Sequence, residues 1–144
     1  MQIDHICIAV RSIDRAMDKF NDIFGYHQKT EKVTNTRQQV NVVFLAKGGS
    51  LDIKLIEPSC KKSPLISFLK KGEGLHHICF KSETTVDVEL CKLKDKGVRV
   101  LTEPEIGEAF DNEMISFIYA GFGLNIELID TDKRAGTISN DDIV

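Results

Sequence analysis

Along HICIAV, near the start of the chain, large apolar residues recur at every second position: His5, Cys7 and Ala9 fall on one face of a strand, and Ile6, Ile8 and Val10 on the other. The period then changes. Ile13, Ala16, Met17, Phe20, Ile23 and Phe24 recur at helical spacing, with Ser12 placed to cap the helix and Gly25 to end it. Three further strands are predicted at YHQKTEKV, VNVVFLA and LDIKLIE, the last two joined at Gly48 and Gly49. A short connector, SPLISFLKKGEG, is predicted helical over its first part, where Pro64 suits a first turn.

The same order then returns. HHICFKS predicts a strand, and Thr84 or Thr85 caps a helix with apolar positions at Val86, Leu90 and Leu93 that ends at Gly97. VRVLTEP, MISFIYA and LNIELID supply three more strands. Spacing supports a duplication: His5, Phe44 and Lys54 are separated by 39 and 10 positions, and His77, Phe117 and Glu127 by 40 and 10. The expected organisation is a module over residues 1–59, a connector over 60–73, a second module over 74–130 and a flexible or partner-dependent tail over 131–144, all in one structural domain.

Composition narrows the classes of function. With 144 residues, 42% hydrophobic and 28% charged, the chain can bury one core. A net charge of −3 gives no general attraction to nucleic acid or to anionic membranes, and no apolar run reaches the length of a span. Cys7, Cys60, Cys79 and Cys91 lack CxxC spacing, which predicts reduced thiols and a cytoplasmic setting.

The duplication gathers the candidate chemistry. His5 with Cys7, His77 with Cys79, Phe44 with Val42, Phe117 with Tyr119, Lys54 with Asp52 and Glu127 with Asn125 each share a strand face. If both modules curl around one cavity, two imidazoles, a carboxylate and an ammonium converge there, walled by Cys7, Phe44, Cys79, Phe117 and Tyr119. Alternation turns His76 to the other face, as a structural residue.

DHICIAV, GLHHICF, the connector, EPEIGEAFDNEMISFI and NIELID together resemble the vicinal oxygen chelate superfamily (glyoxalase, bleomycin resistance and dioxygenase proteins), in its methylmalonyl-CoA epimerase and glyoxalase I branch. The resemblance implies an α+β fold: two tandem βαβββ modules forming a cup-shaped, eight-stranded mixed sheet with the helices outside. It also implies one divalent metal (Zn, Ni, Co or Fe) and an isomerase or lyase that removes a proton α to a carbonyl, as in a coenzyme A or glutathione thioester-type compound. A homodimer is a further expectation from the family.

Carried onto this sequence, the family's four ligand positions fall on His5, Lys54, His77 and Glu127. Lys54 breaks the pattern, because an ammonium has donors and no lone pair. Either His5, His77 and Glu127 hold the metal, with Lys54 and Glu127 acting on the substrate, or Lys54 replaces the cation, or a shifted strand register brings Asp52 in as the fourth ligand. The second case allows a variant enzyme or a small-molecule binding or resistance protein. In the epimerase branch a second catalytic carboxylate stands where this chain has Val42.

Overall fold

A computed structural model describes residues 1–139. Its first half contains β1 (Gln2–Ala9), α1 (Ile13–Phe24), β2 (His27–Gln28), β3 (Val33–Asn35), β4 (Val40–Ala46) and β5 (Asp52–Pro58). After α2 (Leu65–Leu69) come β6 (Gly74–Lys81), α3 (Val86–Asp95), β7 (Arg99–Gly107), a 3-10 turn (Glu108–Phe110), β8 (Glu113–Gly121) and β9 (Leu124–Ile129). The expected βαβββ order thus occurs twice. Among the described residues the strands number nine rather than eight, because the segment expected as one strand around YHQKTEKV is interrupted at Lys29–Lys32 and pairs with β4 in two short pieces.

These strands form one mixed sheet, β2-β4-β5-β1-β6-β9-β8-β7, with β3 also on β4, and it does not close into a barrel. Helices α1 and α3 lie against the convex face. Under α1, Ile13 packs with Val10, Val43, Leu45, Ile53 and Leu55, and under α3, Val86, Leu90 and Leu93 pack with Ile118, Ile126 and Leu128. The caps match the sequence signals: Ser12 Oγ accepts from Arg15 N–H, Gly25 takes the left-handed conformation at φ 72°, and Thr85 is the residue that caps α3. No helix among the described residues is long and apolar enough to cross a membrane.

A third apolar cluster fills the concave side, where Phe44, Val42, Ile56, Leu65, Leu69, Phe110 and Ile115 meet the buried thiols Cys7 and Cys79. Gly107 lets the 3-10 turn fold down onto it. A methyl group there would stand 2.7 Å from Ile115 Cγ2 and 3.0 Å from Phe110 Cδ2. Gly107→Ala is therefore expected to cost about 1–3 kcal/mol through overpacking, seen as a lower urea midpoint with an unchanged slope. A variant as stable as the parent would mean that Phe110 and Ile115 have room to move.

Within the tail expected to be flexible or partner-dependent, 131–139 make backbone hydrogen bonds to the rest of the fold, while 140–144 lie outside the described residues. Ala135 N–H donates to Ala109 O, Glu31 N–H to Gly136 O and Ile138 N–H to Lys29 O, at 2.8–2.9 Å. Backbone hydrogen bonds and one buried guanidinium dock this segment, so apolar periodicity carried no signal of it.

Candidate active site

Register assembles the site. The modules meet where β1 and β6 pair antiparallel, which sets Cys7 opposite His77 and His5 opposite Cys79. Lys54 on β5 lies beside Cys7, with Phe44 on β4 beyond it. Glu127 on β9 lies beside Cys79, with Phe117 on β8 beyond it. Two rows result, Phe44–Lys54–Cys7–His77 and Phe117–Glu127–Cys79–His5, each the counterpart of the other in the duplicated fold.

Glu127 is the hub. Its Oε1 lies 3.0 Å from His5 Nε2 and accepts from His77 Nε2 at 3.3 Å, while Lys54 Nζ donates to both carboxylate oxygens at 3.3 Å. All four side chains are buried. Burial by itself would raise the Glu127 pKa, but the Lys54 charge, His77 and the imidazole hydrogen bonds hold it well below the usual carboxylate range. Burial would likewise push the Lys54 ammonium down, yet Glu127 and the neighbouring thiols outweigh it and the net shift is upward. Lys54 therefore keeps its proton at neutral pH. Its charge also faces the rings of Phe110 and Phe44, at 5.1 and 5.9 Å from their centroids.

Desolvation raises the thiol pKa of Cys7 to about 12 and that of Cys79 well above its ordinary value, so both remain neutral packing groups. His77 is pushed the other way, to about 4, chiefly by burial, and its ring is neutral. A carboxylate only accepts, so the single proton of His77 sits on Nε2. Its Nδ1 is then the acceptor for His76 Nδ1–H at 2.8 Å.

Two β-bulges explain the partners of the imidazoles. The pairing of β1 with β6 slips between Ile3 and His5, and again between Cys7 and Ile8 opposite His77 and Leu75. Asp4 and His76 are the extra residues. Each is turned toward the histidine that follows it, a direction that strict alternation denies. Asp4 Oδ2 accepts from His5 Nδ1 at 2.7 Å, in the place where His76 contacts His77. His76 is therefore not the outward-facing residue that alternation predicts.

Arg134 and Phe110 also escaped the sequence reading. Arg134 is buried, its Nη2 donates to Asp4 Oδ2, and its guanidinium lies 4.4 Å from the centroid of Phe44 and 5.4 Å from that of Phe110. Nε and Nη1 find no partner among the described residues. Phe110 stacks on His5 with centroids 5.9 Å apart. The apolar character of Phe110 was its one signal, between the strands predicted at VRVLTEP and MISFIYA.

A cavity of about 410 Å³ opens beside the cluster, lined among others by Arg37, Leu65, Phe68, His76, Phe117 and Asn125. His76 and Phe117 form its floor toward His77, whose ring centroid is 5.3 Å from that of Phe117. Of the expected wall residues, Phe117 lines this space, while Phe44, Cys7 and Cys79 are buried beneath it. Tyr119 does not reach it. That side chain is exposed at the far end of β8, where its hydroxyl accepts from Gly123 N–H, and its register partner Asn125 takes the wall position. Asp52 stands apart from the cluster, paired with Lys29 at 2.7 Å.

His5, His77 and Glu127 are a candidate ligand group for a metal: their donor atoms lie within 4.8 Å of one another. Asp4 gives His5 the outer hydrogen bond common for metal-bound imidazoles. The fourth corner is the difficulty. Lys54 is protonated and already balances the cluster's one carboxylate, so a divalent ion there would face an ammonium with no second anion. The donor set does not fit a divalent metal while Lys54 holds its proton.

Comparison with known proteins gives these residues a setting. The family described as Glyoxalase/Bleomycin resistance protein/Dioxygenase superfamily matches residues 4–119. YqjC of Bacillus subtilis, an uncharacterized protein, is 39% identical over 104 residues, 69% of this chain and 70% of its own. Methylmalonyl-CoA epimerase from Mycobacterium tuberculosis superposes with a TM-score of 0.80 at 30% identity, covering 90% of this chain and 87% of that one. A methylmalonyl-CoA epimerase in complex with methylmalonyl-CoA and NH4+ gives 0.76 at 31% identity, covering 92% and 96%.

Proposed function

The chain belongs to the glyoxalase/bleomycin resistance protein/dioxygenase superfamily, and from that premise we propose that it is an isomerase of the methylmalonyl-CoA epimerase type. It removes the proton α to the carbonyl of an acyl-CoA thioester and steadies the enolate oxygen with the Lys54 ammonium. The observation that carries this reading is the bond pattern of Lys54, buried 3.3 Å from both oxygens of Glu127 at the position where the superfamily places a ligand.

An enolate oxygen carries more charge than the carbonyl it comes from, so a fixed cation lowers the barrier rather than merely binding substrate. Buried against Phe44 and Phe110, the Lys54 charge is little screened by water. Glu127 is the carboxylate nearest to the cation and acts as the base. The thioester enters by the cavity beside His76 and displaces the Phe117 ring to reach the cluster. Exposed Lys61, Lys62, Lys70 and Lys71 flank α2 and suit the phosphates of coenzyme A. The epimerase solved in complex with methylmalonyl-CoA and NH4+ supports a coenzyme A thioester as the substrate class. The four cysteines are unpaired, in accord with a reducing, cytoplasmic setting.

Val42 is buried and supplies no second base, so proton exchange on one face of the substrate is expected to outrun inversion. Incubation with methylmalonyl-CoA in D2O reads this by mass spectrometry. Deuterium is expected to enter the α position faster than the configuration changes. Thioester that binds but never takes up deuterium would make the protein a binder rather than an enzyme.

A further inference from the structure

We infer that Arg134, carried into the core by the segment after β9, is a positioning residue that orients His5 through Asp4. The inference rests on the cluster being the reactive site only for its effect on turnover; the placing of the His5 proton stands apart from that reading.

The contacts run in one line. Arg134 Nη2 donates to Asp4 Oδ2, and the same oxygen accepts from His5 Nδ1 at 2.7 Å. His5 Nε2 then meets Glu127 Oε1 at 3.0 Å, and Glu127 holds Lys54. Asp4 is the bulged residue of β1, so its carboxylate owes its direction to this local distortion and to its cationic partner. With a carboxylate fixed on Nδ1, the His5 ring has one orientation and keeps a proton on that nitrogen. Without Arg134, Asp4 loses that partner and is free to turn toward solvent.

Several features show that the arm is built to hold this guanidinium. It stacks over Phe44 and Phe110, and Asp52 lies 3.6 Å away as a second anion. Thr137 Oγ1 donates to Arg134 O at 2.8 Å. Gly136 follows at φ 70°, where a methyl group would come within 3.2 Å of Val33 Cγ2 and 3.3 Å of Glu31 Cβ, so the segment lies flush against the β2–β3 region. In the other module the equivalent partner of the imidazole is His76, which faces the cavity. One imidazole is thus steered from the substrate side and the other from the C-terminal arm. The family match ends at residue 119, short of this arm.

The test uses Arg134→Met, which keeps a stem over the two rings, together with Arg134→Lys and Asp4→Asn. Histidine-selective 15N spectra of the whole chain should show a strongly downfield His5 Nδ1–H in the parent, lost or shifted upfield in Arg134→Met and Asp4→Asn and largely recovered in Arg134→Lys. Deuterium uptake into methylmalonyl-CoA should fall about tenfold in kcat in the first two, with KM unchanged. A folded Arg134→Met with the parent's His5 signal overturns the inference. If Arg134→Met does not fold, Asp4→Asn decides by the same signal. If the parent takes up no deuterium, the proposed function fails while the His5 spectra still judge this inference.

Discussion

Lys54→Glu is expected to turn the cluster into a transition-metal site. The change replaces an ammonium with a second carboxylate beside Glu127, His5 and His77, giving two imidazoles and two carboxylates around one point. Two buried carboxylates with no cation repel each other, and a dication removes the repulsion and the unpaired charge together. Purified without chelators, the variant should carry about one equivalent of a divalent metal, and added metal should raise its melting temperature in step with concentration. The parent should show neither effect. A variant that binds no more metal than the parent would mean that Lys54 does not stand at the fourth ligand position.

Loss of Glu127 is expected to be the most damaging single change to stability. Glu127→Leu leaves the Lys54 ammonium among Phe44, Phe110 and two imidazoles with its one anion gone. Breaking a buried pair from one side costs about 3–5 kcal/mol, which for a domain of this size lowers the melting temperature by on the order of 10–15 °C. Removing both charges differs in kind. Lys54→Met with Glu127→Leu should recover most of the lost stability, because apolar groups of similar volume replace a pair whose attraction is largely offset by desolvation. Urea melts of the two single variants and the double variant close the cycle. Additive losses would show that Lys54 and Glu127 do not interact. Deuterium uptake should be absent in Glu127→Leu and in the double variant.

The sequence was a good guide where its periodicity was regular. The repeat of His5, Phe44 and Lys54 as His77, Phe117 and Glu127 foretold which residues the register brings together, because side-chain direction follows from counting by two along an unbroken strand. Counting failed at the bulges. One extra residue near Asp4 and another near His76 reverse the expected faces, and no residue type there marks the slip. Tyr119 was misplaced for a related reason, since alternation gives a face but not how far along the strand the cup extends. Arg134 was beyond reach: an arginine in a polar tail reads as solvated, and its burial depends on Asp4, 130 positions away. The identity of the cation lay between these cases. A lysine at a ligand position was visible in the sequence, but its protonation followed only from the burial of Glu127 at its side.

The central claim, that the cation of this site is covalently part of the chain, is tested most directly by the rate of deuterium uptake into methylmalonyl-CoA before and after exhaustive chelation. The same rate is expected in both samples, with a fall of about 100-fold or more when Lys54 is changed to methionine. A rate that vanishes on chelation and returns with added cobalt or zinc would contradict it.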